Sequence, residues 1–288
     1  GSGTGLGRSY ALELAKRGAS VVVNDYGSET DGTGSDTSMA DSVVQEIIHS
    51  GGNAVANYES VTSLIGGKNI VHAAIENFGR LDILINNAGI IRDRSFAKMS
   101  KEEWNDVHSV HMKGAFNVTN AAWPFLRKNN YGRILMISSN AGLYGNFGQS
   151  NYGSAKTGMI GLMNCLNIEG AKYNILINTL SPTAATRLTE NTMDPELFEK
   201  LKPDFIVPMV IYLVSEKNRE SGNIINAAKN WYGKSAICCS NGITVGDGEK
   251  FPTPEDIMEQ WDNITNLDGA KQLKSLAEFY KLVLGHGI

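Results

Sequence analysis

Cysteine is scarce: Cys165, Cys238 and Cys239 are all that 288 residues contain. They form no C-x-x-C pair and no even set, which excludes a disulfide framework and predicts free thiols in a reducing compartment. The adjacent Cys238 and Cys239 leave open a redox pair. Histidine is also sparse, five in all. Only His108 and His111 share a helical face, and no further ligands stand near them, so no metal site is expected. No apolar run approaches the ~18 residues of a membrane-spanning helix, and no signal-peptide pattern is visible. A formal charge of -4 gives no global reason to bind nucleic acid or an anionic membrane. Repeats and low-complexity tracts are absent as well. What is present is a chain that is 42% hydrophobic. That suffices for one large α/β domain with a small annex.

Apolar runs alternate with helical patterns. Strands are expected at 20–25, 54–58, 81–86, 133–137 and 175–180, and helices at 8–17, 37–50, 63–78, 101–127 and 151–172. Such alternation predicts a doubly wound, mostly parallel sheet. The first helix is preceded by Gly1-Ser-Gly-Thr-Gly-Leu-Gly7. A glycine-rich turn of that kind follows a buried strand, so a first strand is expected ahead of Gly1 and the sequence reads as truncated there. After Gly222 the pattern changes. Residues 1–228 are expected to form the catalytic domain, and 229–288 an extension packing on it.

Ligands of such sheets sit at the carboxyl ends of the strands. Five features fall there: the glycine turn, Asp25, Asn87, Ser139 and Pro182. Glycines let the backbone approach a pyrophosphate, and the helix after them offers free N–H groups and a positive dipole end. Asp25, eighteen residues beyond Gly7, can accept both ribose hydroxyls of an adenosine and repels a 2′-phosphate. Thr4, within the turn, brings no positive charge. The expected cofactor is therefore NAD rather than NADP.

Tyr152 and Lys156 stand four residues apart, on one helical face. Ser139 precedes the tyrosine by thirteen residues. A phenol titrates near pH ~10; a neighbouring ammonium is expected to lower that value, bringing proton exchange nearer neutrality. The serine can hydrogen-bond an oxygen whose charge changes. With a hydride carrier alongside, this is equipment for alcohol–ketone chemistry.

Taken together, Gly1-x3-Gly5-x-Gly7, Asn86-Asn-Ala-Gly89, Ser139 and Tyr152-x3-Lys156 resemble the short-chain dehydrogenase/reductase family, whose fold is Rossmann-like, over about residues 1–227. The stretches Val23-Asn-Asp-Tyr-Gly27, Ile90-Ile-Arg-Asp-Arg-Ser-Phe96, Tyr144 to Tyr152, Asn230-Trp-Tyr-Gly233 and Pro252-Thr-Pro-Glu-Asp256 look like its (3R)-hydroxyacyl-CoA dehydrogenase units, which occur in multifunctional peroxisomal enzymes. That resemblance implies NAD-dependent oxidation of a (3R)-3-hydroxyacyl-CoA in fatty-acid β-oxidation. Tyr152 would move the proton and Ser139 hold the substrate oxygen. Lys156 would bond the nicotinamide ribose. Gly1, Gly5, Leu6, Gly7, Asp25 and Asn87 would hold NAD, with Glu59 and Ser60 beside the adenine and Pro182, Thr183 and Ala184 beside the nicotinamide.

The resemblance also implies a homodimer, a peroxisomal location and a place within a longer chain; the ending Gly285-His-Gly-Ile288 is no peroxisomal tripeptide. Two other readings stay open: a relative acting on a steroid or an acyl-carrier-protein substrate, and a non-catalytic NAD-binding or scaffold protein. His111 stands where many family members have an asparagine. It could relay protons or merely hold water. Pro182-Thr183 replaces the usual Pro-Gly, and Glu59 the usual Asp.

Overall fold

A computed structural model describes residues 1–190, 194–246 and 249–284; the ending Gly285 to Ile288 lies outside them. The chain divides into two compact units, Gly1–Lys234 and Ser235–Ile288.

In chain order the first unit carries α1 (Gly5–Lys16), β1 (Ser20–Asn24), α2 (Ser38–His49), β2 (Asn53–Asn57), α3 (Leu64–Phe78) and β3 (Ile83–Asn86). Then come α4 (Lys101–His108), α5 (Gly114–Asn129), β4 (Gly132–Ile137), α6 (Asn140–Tyr144), α7 (Ser150–Gly170) and β5 (Ile175–Thr183). It closes with α8 (Pro195–Lys200), α9 (Val207–Val214), β6 (Ile224–Ala228) and β7 (Trp231–Ser235). Local chemistry fixes many of the ends. Ser100 and Glu103 form a capping box that starts α4, which satisfies two otherwise unpaired N–H groups. Gly79, at φ 75°, ends α3 in the left-handed region that glycine enters without a Cβ penalty.

The sheet is parallel and doubly wound, as expected. Strands β3, β4, β5 and β6 pair in parallel, and β7 follows β6 at the edge. Every residue of β4 is buried, the signature of a strand covered by helices on both faces. One cluster of buried side chains includes Val118, Leu126, Met136, Met159 and Ile177. A second includes Tyr10, Leu135, Leu180 and Val210. Strands β1 and β2 pair in parallel with each other but not with β3. Between β1 and β3 lies a cavity of about 430 Å³ lined by Leu14, Val22, Val71, Ile83 and Ile85.

Three departures from the expected elements bear on the site. The first helix begins at Gly5 rather than Arg8, so the last glycines of the turn already belong to it. The fifth strand runs on to Thr183, because Ser181, Pro182 and Thr183 continue the register with Asn226, Ala227 and Ala228. The long helix expected over 101–127 is split by a π-helical turn at Ser109–Lys113, centred on His111. Such turns widen a helix locally and occur often at functional sites.

The second unit contains β8 (Cys238–Cys239) and β9 (Lys271–Gln272), paired antiparallel, with α10 (Pro254–Glu259), α11 (Trp261–Thr265) and α12 (Leu276–Leu284). Thr253 and Asp256 form a capping box for α10. All three cysteines are free thiols.

Candidate active site

One cavity of about 1030 Å³ opens at the carboxyl ends of the strands. Every residue expected to bind or react lines it: Gly1, Gly5, Leu6, Gly7, Asp25, Glu59, Ser60, Asn87, Ser139, Tyr152, Lys156, Pro182, Thr183 and Ala184.

One wall is the glycine turn. A Cβ on Gly7 would lie 1.9 Å from the Gly1 carbonyl oxygen, far inside any contact distance, so only glycine fits. Gly5 sits at φ +53°. The first turn of α1 has no acidic residue, and the Thr4 hydroxyl caps none of its N–H groups. Asp25 is buried; one carboxylate oxygen accepts from the Gly3 N–H at 2.7 Å and the other from the Gly27 N–H at 2.8 Å. Asn87 donates its amide to the Gly1 carbonyl at 2.6 Å, and Asn86 donates to the Thr119 hydroxyl at 3.0 Å. The tandem asparagines thus tie the end of β3 to the turn on one side and to α5 on the other. Glu59 accepts from the Asn69 amide at 2.8 Å. A crevice of this volume, with a glycine cradle and uncapped helix N–H groups, fits a dinucleotide.

The opposite wall holds the trio. Ser139 follows β4, and its hydroxyl accepts from the Ala141 N–H, capping α6. Tyr152 and Lys156 project from α7. The Lys156 ammonium donates to the Ile137 carbonyl at 2.6 Å and lies 5.4 Å from the centre of the Tyr152 ring. A hydrogen bond joins Ser139 to Tyr152 and favours the phenolate, but burial outweighs it and pushes the phenol up to about 12. Burial pulls Lys156 down to about 7. The expected depression of the phenol is therefore absent. Lys156 spends its hydrogen bond on the strand carbonyl, and both groups sit where desolvation penalises charge.

His111 is buried against the trio. Its Nε2 lies 2.8 Å from the Ile90 carbonyl oxygen, its Nδ1 has no partner among the described residues, and its ring meets that of Tyr152 edge-on at 5.2 Å. Burial, then the Lys156 charge, hold it well below 6.5, so it is neutral near pH 7. Its ring explains Gly89: a Cβ there would lie 2.5 Å from Cε1.

Sequence reasoning passed over three residues. Asn151 is fully buried. Its amide donates to the carbonyls of Arg92 and Glu103, and its carbonyl oxygen accepts the Tyr152 N–H at 2.7 Å, which anchors the start of α7. An asparagine directly before Tyr152 in Ser150-Asn-Tyr152 was the available signal. Asn140 donates to the Thr183 hydroxyl at 2.9 Å. Arg187 donates to the Thr4 hydroxyl at 2.9 Å. Across 183 residues, no local pattern announces that contact.

A family model described as short chain dehydrogenase matches residues 1–197. A multifunctional peroxisomal enzyme of Dictyostelium discoideum, type A, is 49% identical over 278 residues, covering 96% of this chain and 62% of that one. The solved full-length peroxisomal multifunctional enzyme type 2 of Drosophila melanogaster superposes with a TM-score of 0.84 at 42% identity, over 99% of this chain and 48% of that one. A 7α-hydroxysteroid dehydrogenase complexed with NADH and 7-oxo glycochenodeoxycholic acid gives a TM-score of 0.70 at 28% identity, over 78% and 89% of the two chains. This chain thus spans under two thirds of both multifunctional relatives.

Proposed function

Because this chain belongs to the short-chain dehydrogenase family, a family of nicotinamide-dependent oxidoreductases, we propose that it oxidises a (3R)-3-hydroxyacyl-CoA to the 3-ketoacyl-CoA with NAD. The carrying observation is that Ser139, Tyr152 and Lys156 face the glycine turn and Asp25 across one cavity. The proton acceptor and a dinucleotide cradle thereby share one space. In this reading residues 1–228 are the catalytic domain and 229–288 an extension to it. The likeness to peroxisomal multifunctional enzymes supports peroxisomal β-oxidation and a place in a longer chain; an acyl-CoA substrate and a homodimer belong to the same proposal and rest on the sequence motifs alone.

The glycine turn and Asn87 would hold the cofactor's pyrophosphate side and Asp25 its adenosine ribose. Lys156 would reach the second ribose. Preference for NAD follows from Asp25, whose carboxylate repels a 2′-phosphate. When bound, the oxidised nicotinamide supplies a hydride acceptor and a positive charge. Ser139 orients the substrate hydroxyl and stabilises its oxygen. Tyr152 takes the hydroxyl proton as phenolate. Holding that phenolate requires positive charge nearby, since burial alone keeps the phenol protonated up to about 12.

The test is a panel of (3R)- and (3S)-3-hydroxyacyl-CoA, a hydroxysteroid and a hydroxyacyl carrier protein, each with NAD and NADP. Turnover restricted to the (3R)-CoA ester with NAD is expected. Preference for the steroid or carrier protein would replace the substrate assignment. Binding of NAD without turnover of any alcohol would make the chain a binding module.

A further inference from the structure

We propose that Arg187 is a phosphate-binding residue of the dinucleotide site, closing on the pyrophosphate from the side opposite the glycine turn. The inference deepens the reading above and rests on it.

Arg187 lies just past β5, on a segment braced by its own hydrogen bonds. The Thr189 hydroxyl donates to the Ala184 carbonyl and accepts the Thr186 N–H, each at 2.9 Å. The Ala185 N–H donates to the Leu201 carbonyl at 2.6 Å. This bracing aims the side chain back across the cavity, where its guanidinium donates to the Thr4 hydroxyl. Thr4 is the residue that starts α1, and its hydroxyl is free for this contact because it caps no helix N–H.

The arrangement brings two positive ends together, a guanidinium and an uncapped helix N-terminus. Arg187 is exposed, so water screens much of their repulsion, and an anion placed between them would complement both ends. The other arginine on the cavity, Arg92, is 3.3 Å from the Asp106 carboxylate. Arg187 has no carboxylate at ion-pair distance among the described residues. A pyrophosphate has oxygens for both, accepting helix N–H groups on one side and the planar guanidinium fork on the other. The 2′ position of the adenosine ribose is the less suitable anion site. There Asp25 already stands, bonded to the Gly3 N–H, and would oppose a second negative group.

The experiment measures binding of adenosine, ADP-ribose, NAD and NADP by calorimetry to the full chain, wild type and Arg187→Gln, with Arg187→Lys and Thr4→Val alongside. ADP-ribose and NAD should bind about ten-fold more weakly to Arg187→Gln, the scale of one charge-assisted hydrogen bond, and adenosine equally. Arg187→Lys should recover part of the loss, because the charge remains and the fork is gone. Thr4→Val, which removes only the anchor, should lose less than Arg187→Gln. The loss should appear in the dinucleotide KM rather than in kcat, and shrink as salt is raised. Unchanged ADP-ribose affinity would overturn the proposal and leave the dinucleotide reading standing. So would an equal loss for adenosine, or a loss confined to NADP. A wild-type chain that binds none of the four ligands would overturn both.

Discussion

The sharpest physical consequence of the site concerns Lys156→Met, which keeps the length of the side chain and removes the amine. Lys156 is 3% exposed, donates to one strand carbonyl, and is pulled by burial from 10.5 down to about 7. In the unfolded chain the same amine titrates near ~10.4. Between about pH 7 and pH 10 the unfolded state therefore holds a proton that the folded state has released, and stability rises with pH. The slope for one whole proton is about 1.4 kcal/mol per pH unit. From pH 7.5 to 9.5 the gain approaches about 2.5 kcal/mol as an upper bound. Below about pH 7 both states hold the proton and the buried charge costs its full amount.

Lys156→Met has no such group and should lack the slope. Urea denaturation of both proteins at pH 7.5, 8.5 and 9.5 gives the comparison, since the remaining titrations largely cancel in the difference. Tyr152 stays protonated in the folded state throughout this window and opposes the trend only as free phenols ionise, near pH ~10. The wild type should gain steadily on the variant as pH rises. A difference that stays flat within about 0.5 kcal/mol would mean that Lys156 remains an ordinary ammonium. The desolvation of Lys156 inferred from its burial would then be wrong.

Three other outcomes follow from the same geometry. Tyr152→Phe should abolish turnover while NAD affinity, followed by calorimetry, stays near wild type. Ser139→Ala should lower kcat by about 10²–10³ through loss of a donor to the reacting oxygen; stopped-flow reduction of NAD reads it. Gly89→Ala places a methyl 2.5 Å from the His111 ring and should destabilise the fold by about 1–3 kcal/mol, as overpacking does, with a matching shift in the denaturation midpoint.

Much of the fold was legible because burial on both faces leaves long apolar runs. Strand β4, Gly132–Ile137, is read directly from its Arg-Ile-Leu-Met-Ile sequence, and the helices from their period and caps. The misread boundaries have specific causes. Proline at 182 suggested a strand end, yet β5 continues through it to Thr183 in register with β6. The π turn at 109–113 was invisible since Ser-Val-His-Met-Lys breaks no helical pattern. What it accommodates, His111 against Gly89 and Tyr152, is a tertiary demand.

The candidate site divides the same way. Ser139, Tyr152, Lys156 and Asp25 were legible because each chemical task requires a particular residue type at a particular strand end or helix face. The electrostatic balance was not legible, because spacing says which groups are neighbours and not how much water they lose. Tyr-x-x-x-Lys placed an ammonium beside a phenol and suggested a lowered phenol pKa. Packing instead points Lys156 at the Ile137 carbonyl and buries both groups. Desolvation then moves the phenol up and the amine down, so above about pH 7 the resting pair is neutral on both members. A phenolate in this crevice therefore depends on positive charge brought to it, which makes proton transfer conditional on what else occupies the cavity. Arg187 was out of reach for a related reason: Thr4 itself has no charge, and the cation beside it arrives from 183 residues away.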